Sequence, residues 1–75
     1  MNIKSHVGNR IRALRKKQNI SQEQLAYLCQ LDRTYINGVE NGKRNISIIN
    51  LEKVAKSFNL GLKDFFDDKV FEKED

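Results

Sequence analysis

The stretch Ser21–Gly42, SQEQLAYLCQLDRTYINGVENG, contains the signals that set the architecture of this chain. Ser21 and Gln24 form an S-x-x-Q capping box, which predicts the start of a helix. Asp32 is a favourable N-cap for the next helix, and Asn41-Gly42 predicts where that helix stops. The connection between the two helices is too short to reverse the chain direction, so we expect them to cross steeply.

Apolar residues on either side of this stretch also recur at helical spacing, and no stretch alternates as a strand does. Five helices are predicted: the first covers roughly 5–18, the next three start at Ser21, Asp32 and Ser47, and the fifth covers Leu62–Phe66. Val70 and Phe71 are a candidate extension of the fifth helix. We therefore predict a single all-α domain over 1–75, with a helix-turn-helix at about 21–40. Residues 62–75 would form the fifth helix, a dimerisation region and an acidic tail.

The composition excludes several classes of protein. At 75 residues, with 39% hydrophobic and 32% charged content, the chain fits one small globular domain. It has neither a run of about 18 apolar residues nor an apolar N-terminal segment, so we expect neither a membrane span nor a secretion signal. Its single cysteine, Cys29, cannot form an intramolecular disulfide, which favours a cytoplasmic location.

The net charge of +4 is unevenly distributed along the chain. Residues 1–63 carry twelve Lys or Arg and four Asp or Glu, whereas residues 64–75 carry two Lys and six Asp or Glu. Such a basic body predicts a polyanionic partner, most often nucleic acid. The alternative is a basic surface that serves solubility alone.

The predicted third helix has one apolar side and one small, polar side. Ile36 and Val39 mark the side that faces the core. The opposite side and its flanks carry Arg33, Thr34, Tyr35, Asn37, Gly38 and Asn41. A helix with such a surface can enter the major groove of duplex DNA and hydrogen-bond to base edges. A glycine costs a helix interior about 1 kcal/mol, so Gly38 either lets the duplex approach closely or is merely tolerated.

Three segments of the chain resemble the XRE family, the lambda-repressor/Cro-like helix-turn-helix domains. They are Leu25-Ala26, Leu31-Asp32-Arg33-Thr34-Tyr35-Ile36 and Val39-Glu40-Asn41-Gly42-Lys43-Arg44-Asn45, within a resemblance that covers residues 5–66. The string DRTYINGVE is most similar to the controller proteins of restriction–modification systems. The resemblance implies a five-helix lambda-repressor-like fold and a homodimeric transcriptional regulator that binds a pseudo-palindromic operator in double-stranded DNA. Phage-type repressors, and antitoxin-like modules whose main partner is a toxin protein, use similar sequences and remain alternatives.

The resemblance also implies roles for individual residues. Bases or nearby phosphates would be contacted by Arg33, Thr34, Tyr35 and Asn37, and backbone phosphates by Gln22, Asn41, Lys43, Arg44 and Asn45. Arg15 and Glu40 would form an architectural ion pair between the first and third helices. Arg33 can bond a guanine in bidentate fashion. It could instead be solvated or pair with Asp32 or Asn37, and Tyr35 could instead cover the edge of the core.

Two positions depart from the family pattern. Gln30 stands where a turn glycine is common, and a left-handed conformation there would cost more. Ile46 stands where a proline is often found. The resemblance also implies RNA polymerase as a candidate partner, because acidic residues near the third helix can contact it in this family.

The C-terminal region carries more apolar side chains than we expect so small a core to bury. Leaving them exposed would be costly. We therefore predict that a two-fold homodimer interface is formed by Phe65, Phe66, Val70 and Phe71. The alternative is that all four pack within one chain.

The sequence offers no set of residues for catalysis or for holding a cofactor. It contains no glycine-rich phosphate loop and no Ser/His/Asp set, and His6, the only histidine, has no other imidazole with which to bind a metal. Cys29 lies on an apolar helix face, so we expect a core residue rather than a redox sensor. We expect no enzymatic activity, cofactor, metal or small-molecule ligand.

Overall fold

The computed structural model describes residues 2–72, and every regular element in that range is helical. The elements are α1 (Ile3–Lys17), α2 (Gln22–Cys29), α3 (Arg33–Glu40), α4 (Ile48–Ser57), α5 (Leu62–Phe66) and a 3-10 turn at Lys69–Phe71. The predicted all-α, five-helix architecture is confirmed. Val70 and Phe71 do not extend α5, because Asp68 caps a separate turn by accepting a hydrogen bond from the Val70 amide at 3.0 Å. Most of the predicted acidic tail lies at 73–75, outside the described residues.

Short polar side chains start three of these helices as the sequence predicts. Both halves of the capping box are present: Ser21 Oγ accepts from the Gln24 amide at 3.0 Å, and Gln24 Oε1 accepts from the Ser21 amide at 2.7 Å. Asp32 Oδ1 accepts from the Thr34 amide at 2.7 Å. Ser47 caps α4 in the same manner. These caps fix where α2, α3 and α4 begin.

The turn between α2 and α3 is made without a glycine. Gln30 adopts the left-handed conformation, with φ 56° and ψ 43°. A residue with a Cβ pays roughly 1–2 kcal/mol for this conformation, so the departure at this position has a structural cost. The next residue, Leu31, donates its amide to Ala26 O at 2.9 Å and packs against the core.

The core forms where α3 packs against α1 and α2, and α2 packs against α4. Fully buried side chains come from each of the five helices: Ile11, Leu25, Ile36, Val54 and Phe65. Gly8 permits the close approach of α1 to α3, since a Cβ there would lie 2.4 Å from Val39 O and 2.6 Å from Glu40 O. Only glycine fits at this crossing, because the neighbouring atoms are backbone and cannot turn aside.

The predicted dimer interface needs correction at the C-terminal end. Phe65 is 0% exposed and belongs to the core, and Phe71 packs half-buried against that core. The rings of Phe65, Phe66 and Phe71 contact one another, with centroids 4.8–6.2 Å apart. They cluster within one chain because the 3-10 turn folds back against α1. Val70 is half-buried, and Phe66 is 37% exposed.

Candidate nucleic-acid interface

Helix α3 separates its apolar and polar sides as the sequence predicts. Ile36 and Val39 are buried against the other helices, whereas Thr34 and Asn37 are exposed. Arg33 is also exposed, and its Nη1 lies 3.4 Å from Glu23 Oε2 rather than pairing with Asp32 or Asn37. Both side chains of this ion pair are largely solvated, so it contributes about 0–1 kcal/mol and can be exchanged for a contact with a ligand.

Tyr35 lies on the flank of α3 and supports a neighbouring cation. Its ring is half-buried against the core, and its hydroxyl accepts a hydrogen bond from Asn50 Nδ2 at 3.3 Å. The guanidinium of Arg44 lies over the ring, 5.4 Å from its centroid. Tyr35 therefore covers the core edge, as one alternative had it, and also holds Arg44 through a cation–π contact.

The loop after α3 is folded onto that helix. Gly42 takes φ +73°, and Gly38 O accepts the amides of Lys43 and Arg44 at 2.9 and 3.2 Å. A Cβ on Gly38 would lie 2.5 Å from Arg44 Cγ. Gly38 thus makes room for the Arg44 side chain, a reason that the sequence pattern did not reveal. The exposed residues Lys43, Arg44 and Asn45 lie on this loop beside the polar face of α3.

Glu40 is a carboxylate at 1% exposure with a full set of partners. Arg15 binds it in bidentate fashion, with Nε 2.8 Å from Oε2 and Nη2 2.9 Å from Oε1. Burial by itself would raise the pKa of Glu40, but hydrogen bonds from Arg15 and Gln22 and the charges of Arg15 and Arg12 outweigh it. The pKa of Glu40 is therefore held below its ordinary value, and this carboxylate links α1, α2 and α3.

Five side chains contact one another in a closed ring, which we call the polar ring: Gln22, Asn37, Asn41, Arg12 and Glu40. Glu40 Oε1 accepts from Gln22 Nε2 at 3.1 Å, and Gln22 Oε1 accepts from Asn37 Nδ2 at 3.1 Å. Asn37 Oδ1 accepts from Asn41 Nδ2 at 3.2 Å, and Asn41 Oδ1 accepts from Arg12 Nη2 at 2.9 Å. Arg12 Nε lies 3.4 Å from Glu40 Oε1 and closes the ring. Three predicted DNA-contact residues are thus joined to the buried carboxylate.

Two arginines of α1 have roles that the sequence analysis missed. Arg12 belongs to the polar ring, and its position one helical turn before Arg15 was the available signal. Arg10 donates to Phe65 O at 2.7 Å and Asp64 O at 3.0 Å, and forms an ion pair with Asp68 at 3.2 Å. Because these arginines bind groups within the fold, much of the N-terminal basic charge stabilises packing instead of forming a free cationic surface.

Other kinds of site receive no support from the part of the chain that is described. None of the helices within residues 2–72 is long and apolar enough to cross a membrane. The same residues contain no group of three or more His, Cys, Asp or Glu that could hold a metal ion. Cys29 is buried, and its Sγ donates to Leu25 O at 3.0 Å.

Comparison with known proteins supports the assignment of this surface to a helix-turn-helix. The helix-turn-helix family pattern matches residues 11–65. The chain is 46% identical over 67 residues to the control protein C.MunI of Mycoplasma sp, a match that covers 88% of this chain and 90% of the relative.

Two solved structures of restriction–modification controller proteins share the fold. C.AhdI from Aeromonas hydrophila gives a TM-score of 0.83 at 39% identity, over 88% of this chain and 100% of that one. C.Esp1396I, solved as a tetramer in complex with its natural 35 base-pair operator, gives a TM-score of 0.79 at 40% identity, over 84% and 83% of the two chains. This chain therefore belongs to the XRE-type helix-turn-helix family of transcriptional regulators, among its restriction–modification controller proteins.

Proposed function

We propose that this chain is a sequence-specific DNA-binding regulator that binds a pseudo-palindromic operator as a homodimer. The observation that carries the proposal is the face of α3, where exposed Thr34 and Asn37 lie beside a basic loop folded onto the same helix. An antitoxin-like module, which acts mainly by binding a toxin protein, has no need of both features. Such a regulator would work in the cytoplasm, and RNA polymerase is its candidate protein partner.

Two groups of residues would divide the work of binding. Lys43 and Arg44 supply positive charge, and Asn45 adds hydrogen-bonding groups, where the sugar–phosphate backbone would pass, so they would contribute affinity for any duplex. Arg33, Thr34 and Asn37 would reach base edges and contribute discrimination between sequences. The weak Arg33–Glu23 ion pair leaves Arg33 free to exchange its carboxylate partner for guanine or a phosphate.

The homodimer would form at an apolar groove between the start of α1 and the end of α5. Ile3 and Phe66 line this groove and are 51% and 37% exposed. Ile48 is 77% exposed on α4, one turn before the groove-lining Leu51. A second copy is the proposed occupant, since the related C.Esp1396I assembles as a tetramer on its operator. Of the interface predicted from the sequence, Phe66 and half-buried Val70 remain candidates.

Sedimentation of charged variants tests this interface. Phe66→Asp and Ile48→Asp place a charge on the proposed contact and should give monomers where the wild type is a dimer. Leu28→Asp is the matched control, because Leu28 is 54% exposed but lies on α2 and does not line the groove. If Leu28→Asp is a monomer while Phe66→Asp is still a dimer, the interface lies at Leu28 on α2 and the proposed groove is the wrong face.

Selection of operators from a random duplex library tests DNA recognition. The wild type should enrich a pseudo-palindrome, with half-sites about 34 Å apart if each subunit reads one major groove. Arg33→Ala and Thr34→Ala should reduce discrimination between operators, whereas Lys43→Ala should weaken all duplexes alike. Lys63→Ala, an exposed position on α5, serves as the control and should change neither quantity. Enrichment of no sequence would refute the proposal.

A further inference from the structure

Two Asn-Gly pairs lie on α3 and at its C-terminal end: Asn37-Gly38 and Asn41-Gly42. In such a pair the backbone nitrogen of the glycine can attack the side-chain carbonyl carbon of the asparagine, because glycine has no Cβ to obstruct the approach. The N–Cγ bond forms as the Cγ–Nδ2 bond breaks, and the glycine amide proton leaves with Nδ2 as ammonia. Water then opens the five-membered imide to aspartate, or to isoaspartate when it attacks the backbone carbonyl.

The fold holds the two pairs differently. Asn37 lies inside α3, so the amide of Gly38 belongs to the regular helix. Asn41 is the C-cap of α3, and the amide of Gly42 donates to Val39 O at 3.1 Å in a 3-10-type turn. Helix ends open at a lower free energy than helix interiors, so local opening reaches Asn41-Gly42 before it reaches Asn37-Gly38.

The closed end of α3 blocks the reaction at Asn41. Ring closure requires the Gly42 nitrogen to eclipse Cβ of Asn41 about the Cα–C bond, whereas at ψ 5° it nearly eclipses the backbone nitrogen of Asn41. Rotation to the reactive geometry breaks the hydrogen bond from Gly42 to Val39. The side chain is held as well, since Oδ1 accepts from Arg12 at 2.9 Å and Nδ2 donates to Asn37 at 3.2 Å. Deamidation at Asn41 therefore requires the end of the helix to open.

We propose that Asn41-Gly42 is a site of spontaneous deamidation, gated by opening of the C-terminal end of α3, and that the product binds DNA weakly. Its carboxylate replaces the amide that donates to Asn37 and lies close in sequence to Lys43, where it would repel phosphates. Isoaspartate also lengthens the backbone just before Gly42, where φ is +73° and the loop folds onto α3. The chemical step stands by itself, whereas its effect on binding rests on the proposed function.

Mass spectrometry of the aged protein tests the chemical step. The full chain is incubated at 37 °C in mildly alkaline buffer without DNA and is then digested, and fragment masses show which asparagine has lost its amide. Asn41 should convert about tenfold or more faster than Asn37. In urea, where no helix remains, the two should convert at similar rates. Asn41→Gln should remove the early product, because its longer side chain would have to close a six-membered ring.

Operator binding by fresh and aged protein tests the consequence. Asn41→Asp reproduces the product with an unaltered backbone and should weaken operator binding by about tenfold or more. Asn59→Asp is the matched control, since it adds the same charge at an exposed position after the far end of α4 and should bind as the wild type does. The wild type should lose binding in proportion to the deamidated fraction, whereas Asn41→Gln should keep its binding through the same incubation.

Four results would overturn the proposal. In buffer, they are equal conversion of the two asparagines, faster conversion of Asn37, or no conversion of Asn41 during the time that converts the chain in urea. The fourth is an Asn41→Asp variant that binds operators as tightly as the wild type does. If the fresh wild type selects no operator at all, the proposed function fails, and the mass measurements still decide whether Asn41 deamidates.

Discussion

Removing the charge of Glu40 tests how α3 is held to the rest of the domain. Glu40→Gln keeps the size of the side chain but leaves the Arg15 guanidinium, 13% exposed, without its carboxylate partner. It also removes the anionic partner of Arg12. Because these groups come from α1 and α3, the substitution disturbs the contact that positions the recognition surface.

The expected loss of stability is large for so small a domain. Removing one partner of a buried ion pair costs about 3–5 kcal/mol, because the remaining charge is left uncompensated. A domain of this length has a free energy of unfolding of about 4–11 kcal/mol in total. Glu52→Gln is the matched control: the Glu52–Lys56 pair, at 3.6 Å, is exposed on α4 and should contribute about 0.5 kcal/mol or less.

Urea unfolding followed by circular dichroism measures both variants at neutral pH. Glu40→Gln should shift the midpoint far below that of the wild type, and Glu52→Gln should leave it nearly unchanged. Equal effects of the two substitutions would refute the reasoning, since they would mean that burial of the Glu40 pair adds nothing to its strength.

The pH dependence of the stability difference between the wild type and Glu40→Gln provides a second test. The pKa of Glu40 is lower in the folded chain than in the unfolded one, so its stabilisation is fully present above the ordinary glutamate pKa of about 4.3. It is lost as the pH falls through the lower pKa of the folded protein. The difference in unfolding free energy between the wild type and Glu40→Gln should therefore shrink in acid below about pH 4. A constant difference would contradict this linkage.

Three other perturbations act on the fold. Gly8→Ala should destabilise the domain by about 1–3 kcal/mol in thermal melts, because its Cβ would collide with the backbone of α3. Gly61→Ala is the control: nothing lies within 4 Å of the new Cβ, so stability should change by less than about 0.5 kcal/mol. Equal effects of the two substitutions would be inconsistent with a tight crossing of α1 and α3. Gln30→Gly should stabilise the domain by about 0.5–1 kcal/mol by relieving the left-handed conformation, and a net loss would show that the Gln30 side chain makes a compensating contact. Burial raises the pKa of the Cys29 thiol, so a thiol reagent at pH 8 should modify the native protein only as fast as it unfolds; immediate modification would contradict its burial.

Signals local in the sequence predicted most of the fold. The capping box at Ser21 and the caps at Asp32 and Ser47 act over three residues, so they can be recognised without knowledge of tertiary contacts. The apolar spacing that marks Ile36 and Val39 is likewise local, and it correctly separates the two sides of α3.

Most of the contacts that the sequence did not reveal join residues far apart in the chain. Gly8 is needed because a Cβ there would collide with the backbone of Val39 and Glu40, and Arg10 donates a hydrogen bond to the carbonyl oxygen of Phe65. The sequence prediction placed Phe65 at the dimer interface, whereas Phe65 is buried in the core, because the 3-10 turn folds back against α1 through long-range contacts.

For the candidate site, the sequence predicted which side of α3 is exposed, but it did not predict how the candidate residues contact one another. The structure places Thr34, Asn37, Lys43 and Arg44 on exposed positions of α3 and its loop, as expected for contacts with a duplex. It adds that Gln22, Asn37 and Asn41 are tied to one another and to Glu40 through the polar ring. Such a ring depends on the relative position of α1, α2 and α3, which no local pattern encodes.

Operator affinity measured over a range of salt concentrations is the most direct test that α3 and its loop read DNA. If each subunit of a dimer neutralises phosphates with Lys43 and Arg44, log K should fall against log salt with a slope of about −4 or steeper. Lys43→Ala should make the slope of the dimer shallower by about 2, and the selected operator should still be preferred over random duplex at each salt concentration. A flat salt dependence, or equal affinity for operator and random duplex, would contradict the proposal that this chain is a sequence-specific regulator.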